Sequence, residues 1–174
     1  MTTSIVPGLW NATLRGNNAK CLAAPPDGKL AKCYSQPYAY AYLDIPTFVV
    51  QSLNDPASYS FCYKPPCGLK GNTPGSCTAA QLKELVWYHN ALQGNITHAQ
   101  AAFGSRDGHF MTSCNQHEET CRQFDWWGIT IGGQTMNSTF YTWYTEGGGS
   151  KGSSAIDVPW PGDDSCVAAN HGAC

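Results

Sequence analysis

The sequence predicts an α/β fold with a mostly parallel sheet. The segment 47–53 is an almost unbroken apolar run, which is typical of a strand buried on both faces of a parallel sheet. Residues 78–93 carry apolar side chains at helical spacing, which indicates an amphipathic helix. Strand-like and helix-like segments continue to alternate along the rest of the chain, and this order favours α/β over an all-β architecture.

The first 45 residues read as a loop-rich lead-in, because Gly, Pro and Asn interrupt each periodic segment. Within this lead-in, Cys21 and Cys33 could close a short disulfide loop. Residues 37–43 alternate Tyr with Ala, a pattern that suits a strand and a helix equally. Their expected role is packing.

The helix is predicted to run from Thr78 to Gln93. Thr78 and Gln81 match a capping box, in which each side chain accepts the other residue's backbone N–H. Gly94 is the expected stop, and His89 is expected at the polar edge of the apolar stripe with no further role. The stripe consists of residues at 3.6-residue spacing, namely Leu82, Leu85, Val86, His89 and Leu92.

Four further segments complete the prediction. Residues 110–113 read as a short strand, 127–131 as another strand candidate, and 139–146 as a terminal helix. The Gly- and Ser-rich segment 147–154 reads as a flexible loop. Together with the length of 174 residues, these elements predict a single domain.

Composition excludes several classes of function. The formal net charge is −2, so there is no basic field to hold nucleic acid or anionic lipid. No apolar run approaches the roughly 20 residues that a membrane-spanning helix requires. We therefore expect no nucleic-acid partner and no membrane span, whereas the oligomeric state is left open.

Nine cysteines indicate an oxidising compartment, because thiols are kept reduced in the cytosol. Three N-x-[S/T] sequons, at Asn11, Asn95 and Asn137, point the same way and are glycosylation candidates. Residues 1–7 show neither a basic region nor an apolar region of a secretion signal. An odd count leaves one thiol without an internal partner. The disulfide candidates are Cys21, Cys33, Cys62, Cys67, Cys77, Cys114, Cys121, Cys166 and Cys174.

The alternative use of these cysteines is a zinc site. Cys114-x2-His117-x3-Cys121 offers three ligands, but no fourth ligand follows at zinc-finger spacing. We therefore expect no metal and no other cofactor.

Two residues carry candidate chemistry. Asp55 follows the strand at 47–53, and His117 follows the strand at 110–113. An acid after one strand and a histidine after a later strand is the order of the last two triad members in α/β-hydrolases. The simpler interpretation is that Asp55 only caps the Asn-Asp-Pro turn. A serine on a G-x-S-x-G turn, which should come first, does not occur upstream of Asp55.

One segment matches the nucleophile motif literally. Residues 148–152 read Gly-Gly-Ser-Lys-Gly, with Ser150 at the nucleophile position. A nucleophile elbow needs a strand before it and a helix after it, and it should precede both Asp55 and His117. Ser150 follows both in a Gly/Ser-rich stretch, so we interpret this segment as a linker.

Several short segments together resemble the pectin acetylesterase/Notum family of α/β-hydrolase-like carboxylesterases. Ser113-Cys114-x-x-His117-Glu118 is similar to the family segment whose histidine is catalytic. The segment 45–55 resembles the family stretch that ends on the catalytic aspartate. The resemblance covers most of the chain from about Cys21. Its other parts are residues 33–37, 77–82, 127–135, 143–144 and the Pro-Trp-Pro…Cys…Cys tail.

The resemblance implies a fold and a site. It implies that residues 1–174 are one partial domain, the C-terminal portion of an α/β-hydrolase-like fold with disulfide-containing loops. It also implies that Asp55 and His117 are catalytic, and that the protein is secreted with a signal peptide upstream of Met1. The family's N-terminal half, which holds the nucleophile and the Gly-rich oxyanion strand, has no counterpart here. Val158 stands where the family tail usually has a cysteine.

Two functions follow as expectations. The first is a serine carboxylesterase that removes O-acyl groups from an acidic polysaccharide, and the resemblance implies that the acyl group is acetyl. Glu118 is closer to the Notum branch, so a longer acyl chain on a protein is the variant of this hypothesis. The second function is a non-catalytic, disulfide-rich extracellular module that binds glycans through some of the six Trp and nine Tyr.

Overall fold

The computed structural model of the protein describes residues 18–34, 36–55, 57, 67, 69–70, 73–74, 77–101, 106–117, 120 and 123–157. Two compact units are present. One comprises Met1–Pro46 with Asn95–Phe103, and the other comprises Thr47–Gly94 with Gly104–Cys174. Both candidate site residues belong to the second unit.

The helices and strands have the following bounds. The α-helices are α1 (Ala19–Ala23), α2 (Gln36–Ala39), α3 (Ala79–Ala101), α4 (Gln123–Gly128) and α5 (Met136–Glu146). Short 3-10 helices span Pro26–Gly28, Leu30–Tyr34 and Tyr40–Tyr42. The strands are β1 (Phe48–Ser52), β2 (Leu69–Lys70), β3 (Thr73–Pro74), β4 (Gly108–Thr112), β5 (Thr130–Ile131), β6 (Gln134–Thr135) and β7 (Ser154–Ile156).

A three-stranded parallel sheet organises the second unit, which confirms the α/β class. Its order is β1-β4-β7, with β4 in the middle and parallel to both neighbours. Helix α3 lies between β1 and β4 in sequence, and α4 and α5 lie between β4 and β7. A connection that contains a helix carries the chain back to the end of the sheet where the previous strand began, so all three strands run in the same direction. The predicted strands at 47–53 and 110–113 correspond to β1 and β4.

The core lies on one face of this sheet. Val50, Phe110 and Ala155 form one row across the three strands, and Phe110 is fully buried. Met136, at the start of α5, packs into the same cluster. An adjoining aromatic group includes Phe140, whose ring centroid lies 5.3 Å from that of Phe48 in an edge-on arrangement, a preferred geometry for aromatic pairs. This packing holds the strands that carry the candidate site.

Helix α3 starts as predicted and ends differently. The backbone N–H of Thr78 donates to Gln81 Oε1 at 2.9 Å, and that of Gln81 donates to Thr78 Oγ1 at 3.3 Å, so the capping box is present. The helix then passes through Gly94 to Ala101, and the predicted stop at Gly94 was wrong. Glycine lowers helix stability by only about 1 kcal/mol, which a helix of this length tolerates.

The prediction of a strand over 127–131 was wrong in its first half. Trp127 belongs to α4, and the strand β5 comprises only Thr130 and Ile131. β5 pairs antiparallel with β6 across Gly132 and Gly133, both of which have positive φ. Two consecutive positive-φ residues form the tight turn that two-residue hairpins prefer. The terminal helix, predicted over 139–146, begins three residues earlier as α5.

The described part of the lead-in, from residue 18, is helical rather than loop-like. Asn18 begins α1, because its side chain accepts the N–H groups of Lys20 and Cys21. Cys21 and Cys33 form a disulfide and are both buried. The segment 37–43, which suited a strand or a helix, falls in α2 and the 3-10 helix Tyr40–Tyr42 except for its last residue, Leu43, which follows that helix. A cap and a cross-link thus order short turns that carry no strong periodicity.

Within the residues that the structure describes, no helix has the length and apolar character to cross a membrane.

Candidate active site

Asp55 and His117 follow neighbouring strands. Asp55 comes three residues after the end of β1, and His117 comes five residues after the end of β4. Because β1 and β4 are parallel and adjacent, both loops leave the same edge of the sheet. The carboxyl edge of a parallel sheet is where α/β proteins bind ligands.

The two side chains contact each other. His117 Nδ1 lies 3.0 Å from Asp55 Oδ1 and 3.1 Å from Asp55 Oδ2. An ionised carboxylate has only acceptor oxygens, so Nδ1 carries the hydrogen and donates it. Nε2 is then the ring nitrogen with a lone pair in the neutral ring. The side chain of His117 is 52% exposed and that of Asp55 is 13% exposed, so the histidine is the partner that an incoming molecule can reach.

Asp55 also caps the turn that follows it. Its Oδ1 accepts the backbone N–H of Ala57 at 2.7 Å, which is the local bond that an aspartate in such a turn makes. The simple capping interpretation is therefore correct as far as it goes. The same carboxylate additionally holds His117, and a cap alone does not require that contact.

The loops after β1 and β4 are joined by a buried serine. Ser52, which is 2% exposed, donates through Oγ to the carbonyl oxygen of Cys114. The same Oγ accepts the backbone N–H of Asn54 at 3.2 Å. The backbone N–H of Leu53 adds a bond to Thr112 O at 2.8 Å. These bonds fix the chain immediately before Asp55 against the chain that leads to His117.

Asn54 makes a second connection. It is fully buried, and its Nδ2 donates to the carbonyl oxygen of Ser113 at 2.7 Å. The backbone N–H of Ser113 in turn donates to Asp157 Oδ2 at 3.1 Å. Asp157 follows β7 directly, so polar groups after all three strands meet at this edge. Sequence reasoning missed Asn54 and Asp157; the signal for Asn54 was its position beside the candidate acid.

The prediction that His89 lies at the polar edge of the helix was wrong. It lies on α3 and is 1% exposed, rather than at the edge of the helix's apolar stripe. Its Nδ1 lies 3.3 Å from Asn54 Oδ1. Burial lowers the pKa of His89 below its ordinary value, and the nearby charge of Asp157 opposes that shift in part. The burial of His89 could have been predicted from its position four residues after Leu85, within the apolar stripe of the helix.

Ser150 lies at the amino-terminal end of the parallel strands, opposite to the end where Asp55 and His117 lie. It precedes β7 by four residues, whereas Asp55 and His117 follow strands parallel to β7. Its Oγ donates to the carbonyl oxygen of Glu146 at 3.0 Å, at the end of α5. The G-x-S-x-G match is therefore part of the turn that connects α5 to β7.

The cysteine and metal predictions divide between described and undescribed residues. Cys67 and Cys77 form a second disulfide. Cys114 is also disulfide-bonded, so its sulfur is not available as a zinc ligand. Among the described residues, no group of three His, Cys, Asp or Glu side chains could hold a metal ion. The remaining candidates, Cys62, Cys121, Cys166 and Cys174, lie outside the described residues, as does Val158.

Two of the three sequons lie on helices. Asn95 is exposed and lies within α3, because the helix does not stop at Gly94. Asn137 is in the first turn of α5. Asn11 lies outside the described residues.

Comparison with protein families decides the assignment. A family model described as pectinacetylesterase matches residues 11–167, which is most of the chain. The chain belongs to the pectinacetylesterase family. A search of curated proteins and a search of solved structures find no match.

Membership in the pectinacetylesterase family implies acetyl-ester hydrolysis in general. The disulfides of the described residues, together with this membership, are consistent with an extracellular protein. The resemblance to the pectin acetylesterase/Notum family is thus confirmed at the level of the family.

Proposed function

We propose that Asp55 and His117 are the orienting acid and the general base of a serine carboxylesterase that removes O-acetyl groups from an acidic polysaccharide. The contact of 3.0 Å between His117 Nδ1 and Asp55 Oδ1 supports this proposal most directly. Family membership supports the acetyl ester as the substrate class. The frame would be α/β-hydrolase-like, with both side chains at the carboxyl edge of its sheet, and the protein would be secreted.

The chemistry follows from the tautomer that Asp55 selects. His117 Nε2 accepts the proton of a serine hydroxyl as its oxygen attacks the acetyl carbon. The imidazolium that forms is stabilised by Asp55 and then protonates the departing sugar oxygen, which leaves an acetyl-serine. Water attacks this ester while His117 again takes a proton, and acetate is released with the serine restored.

A nucleophilic serine is expected before Asp55 in the chain, and these 174 residues do not provide one there. No G-x-S-x-G segment occurs upstream of Asp55, and Ser150 lies at the amino-terminal side of β7. We propose that a serine outside the 174 residues completes the triad. The 174-residue chain alone should then give no acyl-enzyme burst with p-nitrophenyl acetate, measured by stopped-flow absorbance; a burst of one equivalent would contradict this.

The direct test uses the protein encoded by the complete transcript. We expect acetate release from O-acetylated pectin and from p-nitrophenyl acetate, with slower turnover of a long-chain acylated peptide. Preference for the long acyl chain would replace the polysaccharide substrate with an acylated protein. Absence of turnover with all three substrates would contradict the esterase proposal.

A second candidate is a glycan-binding module without catalysis. The observation that favours it is that Tyr141 and Tyr144, three residues apart on one face of α5, are 65% and 74% exposed. Exposed aromatic rings provide apolar faces with a polar tip, which suits sugar binding. Binding of pectin by the chain, lost in a Tyr141→Ala, Tyr144→Ala variant and without any acetate release, would favour this candidate.

A further inference from the structure

A buried histidine approaches the candidate site from the helix side. His89 projects from α3 and is 1% exposed, and its contact partner Asn54 is fully buried. Asn54 immediately precedes Asp55 in the chain. Neither side chain can reach a substrate from a position without solvent access, so His89 can act on the site only indirectly, and its contact with Asn54 provides such a connection.

The hydrogen-bond partners fix the polarity of this contact. Asn54 Nδ2 faces the carbonyl oxygen of Ser113 at 2.7 Å, and a carbonyl oxygen only accepts. The amide oxygen of Asn54 is therefore the atom that faces His89, at 3.3 Å from Nδ1. An amide oxygen also only accepts, so His89 Nδ1 must carry the hydrogen. The lowered pKa that burial gives His89 keeps this ring neutral, with Nδ1–H as its required tautomer.

The other end of the connection reaches the loop of His117. Ser113 accepts from Asn54 through its carbonyl oxygen and donates through its N–H to Asp157 at 3.1 Å. The backbone of Asp157 is itself fixed, because its N–H donates to Met111 O at 2.9 Å. Ser113 is therefore held from both sides, four residues before His117. The connection thus joins α3 to the ends of β1, β4 and β7.

We propose that His89 is a positioning residue: by donating from Nδ1 to Asn54, it fixes the amide that joins the Asp55 loop to the His117 loop. This inference rests on the proposed function in one respect: it takes Asp55 and His117 as the catalytic acid and base. A displacement of about 1 Å at such a pair can cost on the order of 100-fold in rate, which is why a residue remote from the substrate can matter.

The test observes the pair itself. In the 15N-labelled 174-residue chain, long-range 1H–15N spectra report which ring nitrogen of each histidine carries the hydrogen, at a pH where the rings are neutral. We expect Nδ1–H at both His89 and His117. His89→Leu should move His117 from the Nδ1–H form towards the Nε2–H form. His89→Asn, whose Nδ2 replaces the donor at the Nδ1 position, should restore the Nδ1–H form.

Leu85→Ala is the matched control. Leu85 is fully buried on α3 one turn before His89 and has no polar side-chain atom, so this variant lowers stability without removing a hydrogen bond of Asn54. We expect it to leave the tautomer of His117 as in the wild type. If Leu85→Ala shifts the tautomer as much as His89→Leu does, or if His89→Asn fails to restore it, the positioning role is refuted.

A fourth variant separates this inference from the proposed function. Asp55→Asn should change the His117 tautomer directly, because the new amide oxygen is expected to keep the backbone N–H of Ala57 and the amide nitrogen, which only donates, then faces Nδ1. If Asp55→Asn shifts the His117 tautomer and His89→Leu does not, the pair is real and the role of His89 is wrong. If Asp55→Asn leaves the tautomer unchanged, the pair on which the proposed function rests is wrong.

Discussion

Asp55 carries two bonds that sequence reasoning treated as alternatives. Its carboxylate accepts from Ala57 at 2.7 Å and from His117 at 3.0 Å, so a turn cap and a partner for an imidazole are one side chain. The cap holds the carboxylate still, and the carboxylate then holds the ring. This combination explains how a loop residue keeps a fixed orientation at the end of a strand.

The candidate site was predictable only where a residue type stood out in the sequence. Asp55 and His117 follow apolar strands and match an ordered pattern. Asn54 and His89 are recognised as a pair only in three dimensions, because 35 residues separate them. A helical stripe tells which face is buried, but it does not tell what a polar residue within that face will meet.

Ser150 provides a prediction at the residue scale. Ser150→Ala should leave ester hydrolysis by the complete protein unchanged and should change stability by less than about 0.5 kcal/mol. The reason is that, among the described residues, its hydroxyl donates to the carbonyl oxygen of Glu146 alone, in the turn before β7. Kinetics and urea unfolding measure the two effects.

Ser52→Ala is the comparison, since Ser52 is buried and joins the Asp55 and His117 loops. Loss of a buried hydroxyl that serves two backbone groups should cost about 1–3 kcal/mol. Loss of activity in Ser150→Ala with intact stability would make Ser150 a nucleophile and refute our interpretation of this turn.

At the scale of elements, the strands β1 and β4 were predicted closely, whereas α3 was predicted correctly only at its start and α5 only at its end. The capping box at Thr78 identified the start of α3, because it is a local bond pattern. The end was missed because Gly94 is a weak signal inside a helix that continues for another seven residues to Ala101. The hairpin β5–β6 was missed because its strands are two residues long, which is too short for any periodicity.

Gly94→Ala should stabilise the protein. Gly94 lies within α3, and a Cβ built there meets no atom within 4 Å. Alanine is favoured over glycine in helices by about 0.5–1 kcal/mol, so the free energy of unfolding should rise by about that amount in urea unfolding monitored by circular dichroism.

Gly108→Ala is the opposite case. A Cβ at Gly108 would lie 2.5 Å from the carbonyl oxygen of Ser153, and overpacking of this kind typically costs about 1–3 kcal/mol. Destabilisation by Gly94→Ala would mean that α3 does not continue through this position.

At the scale of the whole molecule, two histidines link stability to pH. Burial lowers the pKa of His89 and of His109 in the folded state. The unfolded chain therefore binds more protons than the folded chain below the ordinary histidine pKa of about 6.5. The contribution to stability is complete above that pH and is lost as the pH falls through the lowered folded-state pKa values.

The free energy of unfolding should therefore decrease as the pH is lowered from 7.5 to 5. His109→Gln should make this decrease shallower. His98→Gln is the control, because His98 is exposed on α3 and should leave the slope as in the wild type. A slope that is flat in the wild type, or equally steep in His109→Gln, would contradict the assigned cause.

We propose that Asp55 and His117 act as the acid and base of an acetylesterase. The most direct measurement is the rate of acetate release from O-acetylated pectin by the protein of the complete transcript, with Asp55→Asn and His117→Ala beside the exposed-site controls Asp44→Asn and His98→Ala. We predict a fall of about 10⁴-fold for each site variant and wild-type rates for both controls. Rates in Asp55→Asn and His117→Ala equal to the wild type would show that neither residue takes part in catalysis.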